Sequence, residues 1–176
     1  MSGNENGTAC TTPLNLMGLA GAAYRAQATF DQAGWNLFGD HQLAELCKLR
    51  VSQLNGCAFC LDLHTRVGRR LGVSERLMTL VAAWQEAPVF DARQRAALAL
   101  AEASAKLAGS TGYGELANAA RQHFSDTELA GLLCGLAAIN SWNRMVLGSG
   151  QAFPVDEDAA EALVDSIVGA RPHAAA

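Results

Sequence analysis

The sequence predicts an all-α protein. Alanine and leucine dominate it, β-branched residues are scattered singly, and no stretch alternates apolar and polar residues for long enough to form a strand. Half of the 176 residues are hydrophobic. A chain of this length can bury roughly two-thirds of the surface that its unfolded form exposes. We therefore expect a single helical domain over residues 1–176.

The chain up to Leu54 carries two or three predicted helices. Residues 14–38 can form one or two of them, interrupted near Gly34 or Gly39. Asp40 is a suitable N-cap for the next helix, because its carboxylate can accept a hydrogen bond from a free backbone N–H group of the first turn. That helix should run to about Leu54.

The Asn55-Gly56 pair predicts a turn between two antiparallel helices. The second helix should start near Cys57 and end around Leu71 and Gly72. Glycine suits the left-handed position that follows a helix, so Gly72 is a natural end point. The prediction is therefore a helical hairpin centred on residues 55–56.

Capping residues also delimit the helices of the second half. Asp91 with Gln94, and Ser125 with Glu128, have the capping-box spacing, in which each side chain satisfies a backbone donor near the other. Ser74 can cap an earlier helix, and Pro88 should close it. The expected helices cover about 74–85, 91–108, 113–123 and 125–148, with a last short helix after Pro154 and a frayed tail, RPHAAA.

Composition and charge argue against several classes of protein. The formal net charge is -4 and 17% of the residues are charged, so we expect no nucleic-acid partner. The N-terminal stretch lacks the basic and apolar segments of a secretion signal, and no apolar run reaches the roughly 18 residues that a membrane span needs. Five cysteines, an odd number, fit a reducing compartment. We therefore expect a cytoplasmic protein with no membrane partner.

The stretch NGCAFCLDLH combines two cysteines and a histidine at helical spacing. Cys57 and Cys60 should occupy the first turn of a helix, where free N–H groups and the helix dipole favour a thiolate over a thiol. His64 follows Cys60 by one turn on the same face, near enough to exchange a proton with its sulfur. This arrangement is typical of a reactive thiol site.

Glu45 is a candidate third member of this site. It lies about ten residues before the predicted turn, and His64 lies about eight residues after it. At about 1.5 Å per residue the two side chains reach a similar depth on facing helices. Glu45 could then orient or charge the imidazole, and a carboxylate in that partly buried position would need a partner.

Two other interpretations of the cysteines stay open. Free cysteine is often buried as a small hydrophobic residue, and Cys47 and Cys134 fit that role. A zinc site needs four protein ligands, or three and a water molecule. Cys57, Cys60 and His64 would supply three, with Cys47 or His41 as the fourth. We expect no bound metal, because both fourth candidates would have to face the hairpin.

Three segments match a known family in order: LCKLRVSQLNGCAFCLDLHTRVGRRLGV, LVAAWQEAPVFDARQRAALALAEA and INSWNR. They resemble the AhpD-like alkylhydroperoxidases of the carboxymuconolactone decarboxylase superfamily, and include Glu45, Cys57, Cys60 and His64 at that family's spacing. The resemblance covers about residues 40–147, the expected family core. It implies an AhpD-like helical domain built on the C-x-x-C hairpin, and a homo-oligomer that is a trimer or a hexamer of dimers.

The resemblance implies a thiol-dependent peroxidase. Cys60 would be the peroxidatic cysteine, Cys57 the resolving one, and Glu45 with His64 the proton relay. Helix-dipole reasoning alone would select Cys57 for the attack, but His64 faces Cys60. No bound cofactor is expected; an external dithiol protein, of lipoyl or thioredoxin type, would reduce the disulfide, and we expect Cys57 to meet it.

One residue departs from the best-studied relatives, which carry a histidine between the two cysteines where this chain has Phe59. Phe59 is either a core residue or a wall that keeps water from the thiol and favours apolar hydroperoxides. Trp142, Asn143 and Arg144 are either structural or part of an interface. The alternatives to a peroxidase are a redox-sensing or disulfide oxidoreductase protein with weak peroxidase turnover, and a metal-binding helical protein.

Overall fold

The computed structural model describes residues 12–107 and 112–169. All regular elements in these two ranges are helices, which confirms the all-α prediction. The helices are α1 (Leu16–Leu19), α2 (Gly21–Phe38), α3 (His41–Asn55), α4 (Ala58–Arg70), α5 (Glu75–Leu80), α6 (Ala92–Ala105), α7 (Tyr113–Ala120), α8 (Asp126–Ser149) and α9 (Glu157–Gly169), with a 3-10 turn at Val81–Ala83.

Helix α3 lies at the centre and packs against α4, α6 and α8. Nine of its fifteen residues are buried, including the charged Glu45 and Lys48. Its apolar residues join those of α6 and α8 in the main hydrophobic core. The helix that carries the candidate acid is therefore the most enclosed part of the fold.

The predicted caps hold α3 and α4 in place. The Asp40 carboxylate accepts a 3.0 Å hydrogen bond from the Leu43 N–H group, and Gly56 takes a left-handed conformation with φ of 70°. The hairpin is confirmed, since α3 packs directly against α4. Both capping boxes are confirmed as well, at Asp91–Gln94 and at Ser125–Glu128.

Of the two predicted interruptions, the one near Gly39 is confirmed, since α2 ends at Phe38 with Gly39 in a left-handed conformation, and the one near Gly34 is wrong. Gly34 lies inside α2, and the first break comes at Ala20 instead. A Cβ atom on Gly34 would lie 2.9 Å from the Gly135 nitrogen of α8, and one on Gly131 would lie 2.3 Å from the Phe38 nitrogen. These glycines bring α2 and α8 into close contact, so they serve packing and do not break a helix.

Two other helix lengths differ from the prediction. The helix capped by Ser74 ends at Leu80, not Gln85, because the Arg95 side chain binds the carbonyl groups of the following turn, among them that of Ala87. The last helix is not short: α9 has 13 residues and buries Val164 against the apolar side of α4.

No helix in the described residues is long and apolar enough to cross a membrane. Cys10, His173 and the predicted frayed tail lie outside the described residues. The extent of the domain, residues 1–176 with a family core at about 40–147, stays a prediction.

Candidate functional site

The two cysteines of the C-x-x-C motif lie at the start of α4. Cys57 is the N-cap residue, and its sulfur accepts a hydrogen bond from the Cys60 N–H group at 3.3 Å. The two sulfurs form a disulfide bond, with the Cα atoms 5.3 Å apart. Cys57 is fully buried and Cys60 is 3% exposed. The free N–H groups of a helix start therefore lie beside these sulfurs, as the sequence predicted.

Glu45 and His64 meet across the hairpin. The Glu45 Oε2 atom lies 2.8 Å from His64 Nδ1, and the carboxylate is completely buried. When the imidazole is neutral, a Nδ1–H group donating to this carboxylate leaves Nε2 free to accept a proton. The geometry thus brings together the acid and imidazole that the sequence paired, and fixes the tautomer that a base would need.

Lys48 is a member of this cluster that the sequence analysis did not identify. Its Nζ atom lies 3.0 Å from Glu45 Oε1, and the residue is 3% exposed. The ammonium group also lies 4.8 Å from the ring centroid of Trp35, a favourable cation–π distance. Its position three residues after Glu45 on one helix face was the available signal. The buried carboxylate is held by a cation on one oxygen and by the imidazole on the other.

Cys60, His64 and Lys48 border one cavity of about 460 Å³. Its wall is mostly apolar or aromatic and comes from six helices, α1, α2, α3, α4, α8 and α9, and from Gln151 after α8. Polar groups are few, which is the usual composition of a small-molecule site. The main apolar contributors are Leu16, Met17, Tyr24, Trp35, Phe59, Leu63, Trp142, Met145, Val146, Leu163 and Ile167.

The cavity separates the two cysteines in accessibility. Cys60 contributes to its wall, whereas Cys57 is absent from the described residues that line it. A molecule in the cavity would therefore reach the Cys60 sulfur first. The prediction that Cys57 meets an external reductant would require the surrounding helices to move, since Cys57 has no exposed surface; the order of reaction stays a prediction.

Helix α9 closes one side of the cavity, through Leu163, Ser166 and Ile167. Ion pairs attach it to α4. Arg66 binds Glu157 at 2.6 Å and Glu161 at 2.8 Å. The hydrogen bonds that Arg66 donates to Glu157, and after it to Asp62 and Glu161, raise the pKa of Arg66. A separate apolar contact, among Leu63, Val67 and Val164, lies beneath these charges.

A buried amide network ties the hairpin to α8. The Asn55 side chain donates to Asn143 Oδ1 at 2.9 Å and to Asn140 Oδ1 at 3.0 Å. Asn143 in turn donates to the Ser52 hydroxyl at 3.1 Å. Arg144, which is exposed, donates to the Asn140 carbonyl at 2.8 Å. These contacts give Asn143 and Arg144 structural roles that hold the turn preceding Cys57.

The aromatic residues Phe59 and Trp142 both contribute to the cavity wall. Phe59 packs edge-on against Phe153, with ring centroids 5.2 Å apart, and Trp142 packs against Tyr24 at 4.9 Å. Phe59 is partly buried, so it combines the two roles considered for it: it packs against neighbours and it forms part of the wall beside Cys60. Trp142 is also partly enclosed by its own chain.

The candidate zinc ligands in the part of the chain that the structure describes do not come together as a metal site. Cys47 is fully buried in the main core, and burial raises the pKa of its thiol, followed by the effect of the Asp40 charge. His41 borders the cavity, but within residues 12–107 and 112–169 no group of three or more His, Cys, Asp and Glu side chains is placed to hold a metal ion. Cys134 is half-buried beside Gly34 rather than fully buried in the core.

Comparison with known proteins gives consistent matches. The model of the carboxymuconolactone decarboxylase family matches residues 22–103. The uncharacterized protein YdfG of Bacillus subtilis is 37% identical over 106 residues, which is 60% of this chain and 72% of that protein. The uncharacterized protein YnjA of Escherichia coli is 36% identical over 66 residues, 37% of this chain and 36% of YnjA.

A solved structure matches over a longer range. A protein of unknown function from Agrobacterium tumefaciens, described as a candidate antioxidant defence protein AhpD, has a TM-score of 0.77 and 33% identity, covering 83% of this chain and 100% of the other. The all-helical fold with its C-x-x-C hairpin is thus of the AhpD-like class. This chain belongs to the carboxymuconolactone decarboxylase family, as an AhpD-like member.

Proposed function

We propose that this protein is a thiol-dependent peroxidase that reduces hydroperoxides through Cys60 and Cys57. One observation carries the proposal: Cys60 and His64 border the same apolar cavity, and His64 is bound to the buried Glu45 carboxylate at 2.8 Å. Attack by a thiolate on a hydroperoxide needs three groups: a sulfur that ionises, a base that takes its proton, and an acid that orients the base. Membership of the AhpD-like family supports the same activity.

The first step oxidises Cys60. His64 takes the thiol proton, and the thiolate attacks the terminal oxygen of a hydroperoxide, ROOH. The O–O bond breaks as the S–O bond forms, with both electrons of the new bond coming from sulfur. The alkoxide that leaves takes the proton back from His64 and departs as ROH. Cys60 is then a sulfenic acid and His64 is neutral again.

The second step forms the disulfide. The Cys57 thiol attacks the Cys60 sulfenic acid, so that an S–S bond forms, the S–O bond breaks and water leaves. The two Cα atoms, 5.3 Å apart, support this pairing. An external dithiol, of lipoyl or thioredoxin type, returns both cysteines to thiols and becomes a disulfide itself. No other bound cofactor takes part in the proposal.

Single-turnover peroxide consumption by the reduced protein tests the assignment. Cys60→Ser should abolish consumption. Cys57→Ser should consume one equivalent and retain a sulfenic acid, which a dimedone-type reagent and mass spectrometry would detect on Cys60. If Cys57→Ser loses the first turnover while Cys60→Ser keeps it, the two roles are reversed. If neither the wild-type protein nor Cys57→Ser consumes peroxide, the proposed activity is wrong.

A second function is favoured by the burial of the disulfide. With Cys57 fully buried and Cys60 only 3% exposed, the pair could cycle slowly, as in a redox-sensing or disulfide oxidoreductase protein with weak peroxidase turnover. Fast exchange with a dithiol but slow reaction with both hydrogen peroxide and an organic hydroperoxide would select this function. Zinc in freshly purified protein at one equivalent per chain would instead support the metal-binding alternative.

We also propose that the protein is a homo-oligomer. Large apolar side chains are exposed on α2 and near it, including Phe30 and Leu37. Phe30 and Leu37 are seven residues apart and so lie on the same side of α2, and exposed apolar surface of this kind is commonly covered by a partner. Light scattering coupled to size-exclusion chromatography would give the mass. The expected result is a trimer, or a hexamer that is built from dimers.

A further inference from the structure

Lys48 occupies an unusual position for a lysine. It is 3% exposed, it borders the cavity, and it binds the Glu45 oxygen that faces away from His64, at 3.0 Å. Lysine is rarely buried to this extent unless it is paired. A lysine at this depth costs free energy to desolvate, so an ion pair is weak evidence for a stabilising purpose. Its position instead places a positive charge beside the Glu45 carboxylate of the thiol site.

We propose that Lys48 is a positioning residue that neutralises Glu45, so that His64 stays uncharged and can take the proton of Cys60. The inference rests on the proposed function, because it concerns the same proton transfer. Lys48 does not touch the reacting sulfur; it acts through Glu45, whose two carboxylate oxygens join it to His64 at 3.0 and 2.8 Å.

The charges of Lys48, Glu45, His64 and Cys60 explain how Lys48 favours the proton transfer from Cys60 to His64. With Lys48 cationic, Glu45 anionic, and His64 and Cys60 neutral, the site has no net charge. Transfer of the proton from Cys60 to His64 creates an imidazolium and a thiolate, and the net charge is still zero. A buried site tolerates such a transfer far better than a step that adds a net charge.

Without the Lys48 ammonium group, the net charge of the site is different. A buried Glu45 carboxylate would then be compensated by a proton on His64, because an opposite charge at 2.8 Å favours the imidazolium. The imidazole could no longer accept the Cys60 proton. Ionising Cys60 would also give the buried site a net negative charge, so the thiolate would form only at higher pH.

Other titratable groups near Lys48 could affect the same pH profile. The cavity wall that it shares carries Asp31 and Tyr24 from α2, His41 from α3, and Cys60 and His64 from α4, while Glu45 lies buried behind this wall. Asp31 accepts a hydrogen bond from the Trp35 indole at 3.0 Å. The cavity residues of α8 and α9 carry no titratable group. Glu45 is in direct contact with Lys48, which is why a charge change at Lys48 should act through it.

The test is the pH dependence of Cys60 alkylation in the reduced Cys57→Ser protein, followed by mass spectrometry of the Cys60 peptide with iodoacetamide. Lys48→Met should move the midpoint of the profile up by about one pH unit, which is about a tenfold loss of rate at neutral pH. Lys48→Arg keeps the charge and should keep the midpoint. Lys106→Met is the matched control, since that lysine is exposed and pairs with Glu102 at 3.6 Å away from the cavity.

The outcomes separate this inference from the proposed function. An unchanged midpoint in folded Lys48→Met overturns the inference, whatever the peroxidase activity. A raised midpoint in a protein that consumes no peroxide supports the inference about the thiol and contradicts the peroxidase. If Lys48→Met does not fold, Lys48→Gln takes its place. If neither folds while Lys48→Arg does, Lys48 is a structural ion-pair partner and the inference is wrong.

Discussion

Helix α4 carries charged side chains into two different environments. On its buried side, His64 meets Glu45 and, beyond it, Lys48, all at most 8% exposed. On its outer side, Arg66 and Arg70 pair with the carboxylates of α9, several of which are well exposed. Two clusters of ionisable side chains thus meet on α4, a buried one with partners on α3 and an exposed one with partners on α9. Burial decides what each cluster can do, because water screens the outer charges and does not screen the inner ones.

The buried cluster costs free energy to desolvate and supplies the groups of the proposed proton transfer. The exposed cluster attaches α9 to α4. An unpaired charge at the Glu45 position has no water to compensate it, so each member depends on the others. Exposed pairs contribute little singly, but several arginine–carboxylate contacts together can fix how α9 covers the cavity. We therefore expect mutations in the first cluster to change chemistry and global stability, and mutations in the second to change access to Cys60.

Glu45→Gln should give the largest effect. The amide keeps the shape but leaves the Lys48 ammonium buried without its carboxylate, which should lower the free energy of unfolding by about 3–5 kcal/mol. Peroxide consumption should fall by at least about 100-fold, because His64 loses the negative charge that stabilises its imidazolium when it takes the Cys60 proton. Chemical denaturation and single-turnover kinetics measure the two quantities.

The matched control for Glu45→Gln is Glu75→Gln. Glu75 is exposed and pairs with Arg69 at 2.5 Å, so the same chemical change occurs where water can replace the partner. Its kinetics should match those of the wild-type protein. If Glu45→Gln were as well tolerated as Glu75→Gln, the contrast between buried and exposed charges would be wrong for this molecule.

Phe59→Ala should give the next largest effect, because Phe59 contacts the surroundings of both clusters. Its ring borders the cavity beside Cys60 and packs against Phe153, over which Arg66 lies. Removing the ring should admit water and enlarge the cavity. We expect the rate with hydrogen peroxide to change less than the rate with an apolar hydroperoxide, so that the ratio of the two rates falls several-fold for the apolar substrate.

Stopped-flow measurements with hydrogen peroxide and cumene hydroperoxide would give that ratio. Leu116→Ala is a suitable control, since Leu116 is 38% exposed on α7, a helix that contributes no residue to the cavity wall. A rate ratio that is equal in Phe59→Ala and in the wild-type protein would leave Phe59 with a packing role alone.

The sequence predicted the hairpin and its catalytic candidates because those features are local. Asp40, Gly56 and the two capping boxes act over a few residues, so their effect can be read from spacing. The Glu45–His64 contact was predictable as well, since a two-residue turn fixes which positions of the two helices face each other. The structure brings these residues together as expected, although their catalytic roles stay predictions.

What the sequence did not reveal depends on contacts between distant segments. Gly34 looked like a helix breaker, but its role follows from Gly135, which is 101 residues later in the chain and cannot be paired with it by spacing. Lys48 was not singled out, because its burial depends on α2, whose Trp35 ring lies 4.8 Å from its ammonium group. Helix α9 is longer than expected. The arginines that pair with its carboxylates belong to α4, so its sequence alone does not show what stabilises it.

Arg66→Ala should give a smaller effect, confined to α9. It removes the contacts to Glu157 and Glu161 but leaves the apolar contact of Val164 in place. Hydrogen exchange should speed up in residues 157–169, and iodoacetamide should alkylate reduced Cys60 several-fold faster. The α3–α4 hairpin should exchange as before. Faster exchange spread over the whole protein would mean that the exposed cluster supports the entire fold, contrary to the comparison.

The smallest expected effect is a pH dependence of the attachment of α9 to α4. The Arg70 and Arg66 hydrogen bonds lower the pKa of Glu161, and the Arg66 hydrogen bonds lower the pKa of Glu157. A carboxyl group whose pKa is lowered by folding contributes stability above its unfolded pKa, near 4.5, and loses that contribution as the pH falls through the lower folded value. The attachment of α9 should therefore be complete at neutral pH and weaken in acid.

Hydrogen exchange of residues 157–169, corrected for the intrinsic rate at each pH, would measure this weakening. Protection of α9 should be constant from neutral pH down to about 5 and should decrease below that, toward about pH 3. In Arg66→Ala the decrease should be smaller, because one of the two arginines that lower these pKa values is absent. An equal decrease in both proteins would show that acid loosens α9 through carboxylates that do not depend on Arg66, such as Asp165, which pairs with Arg70.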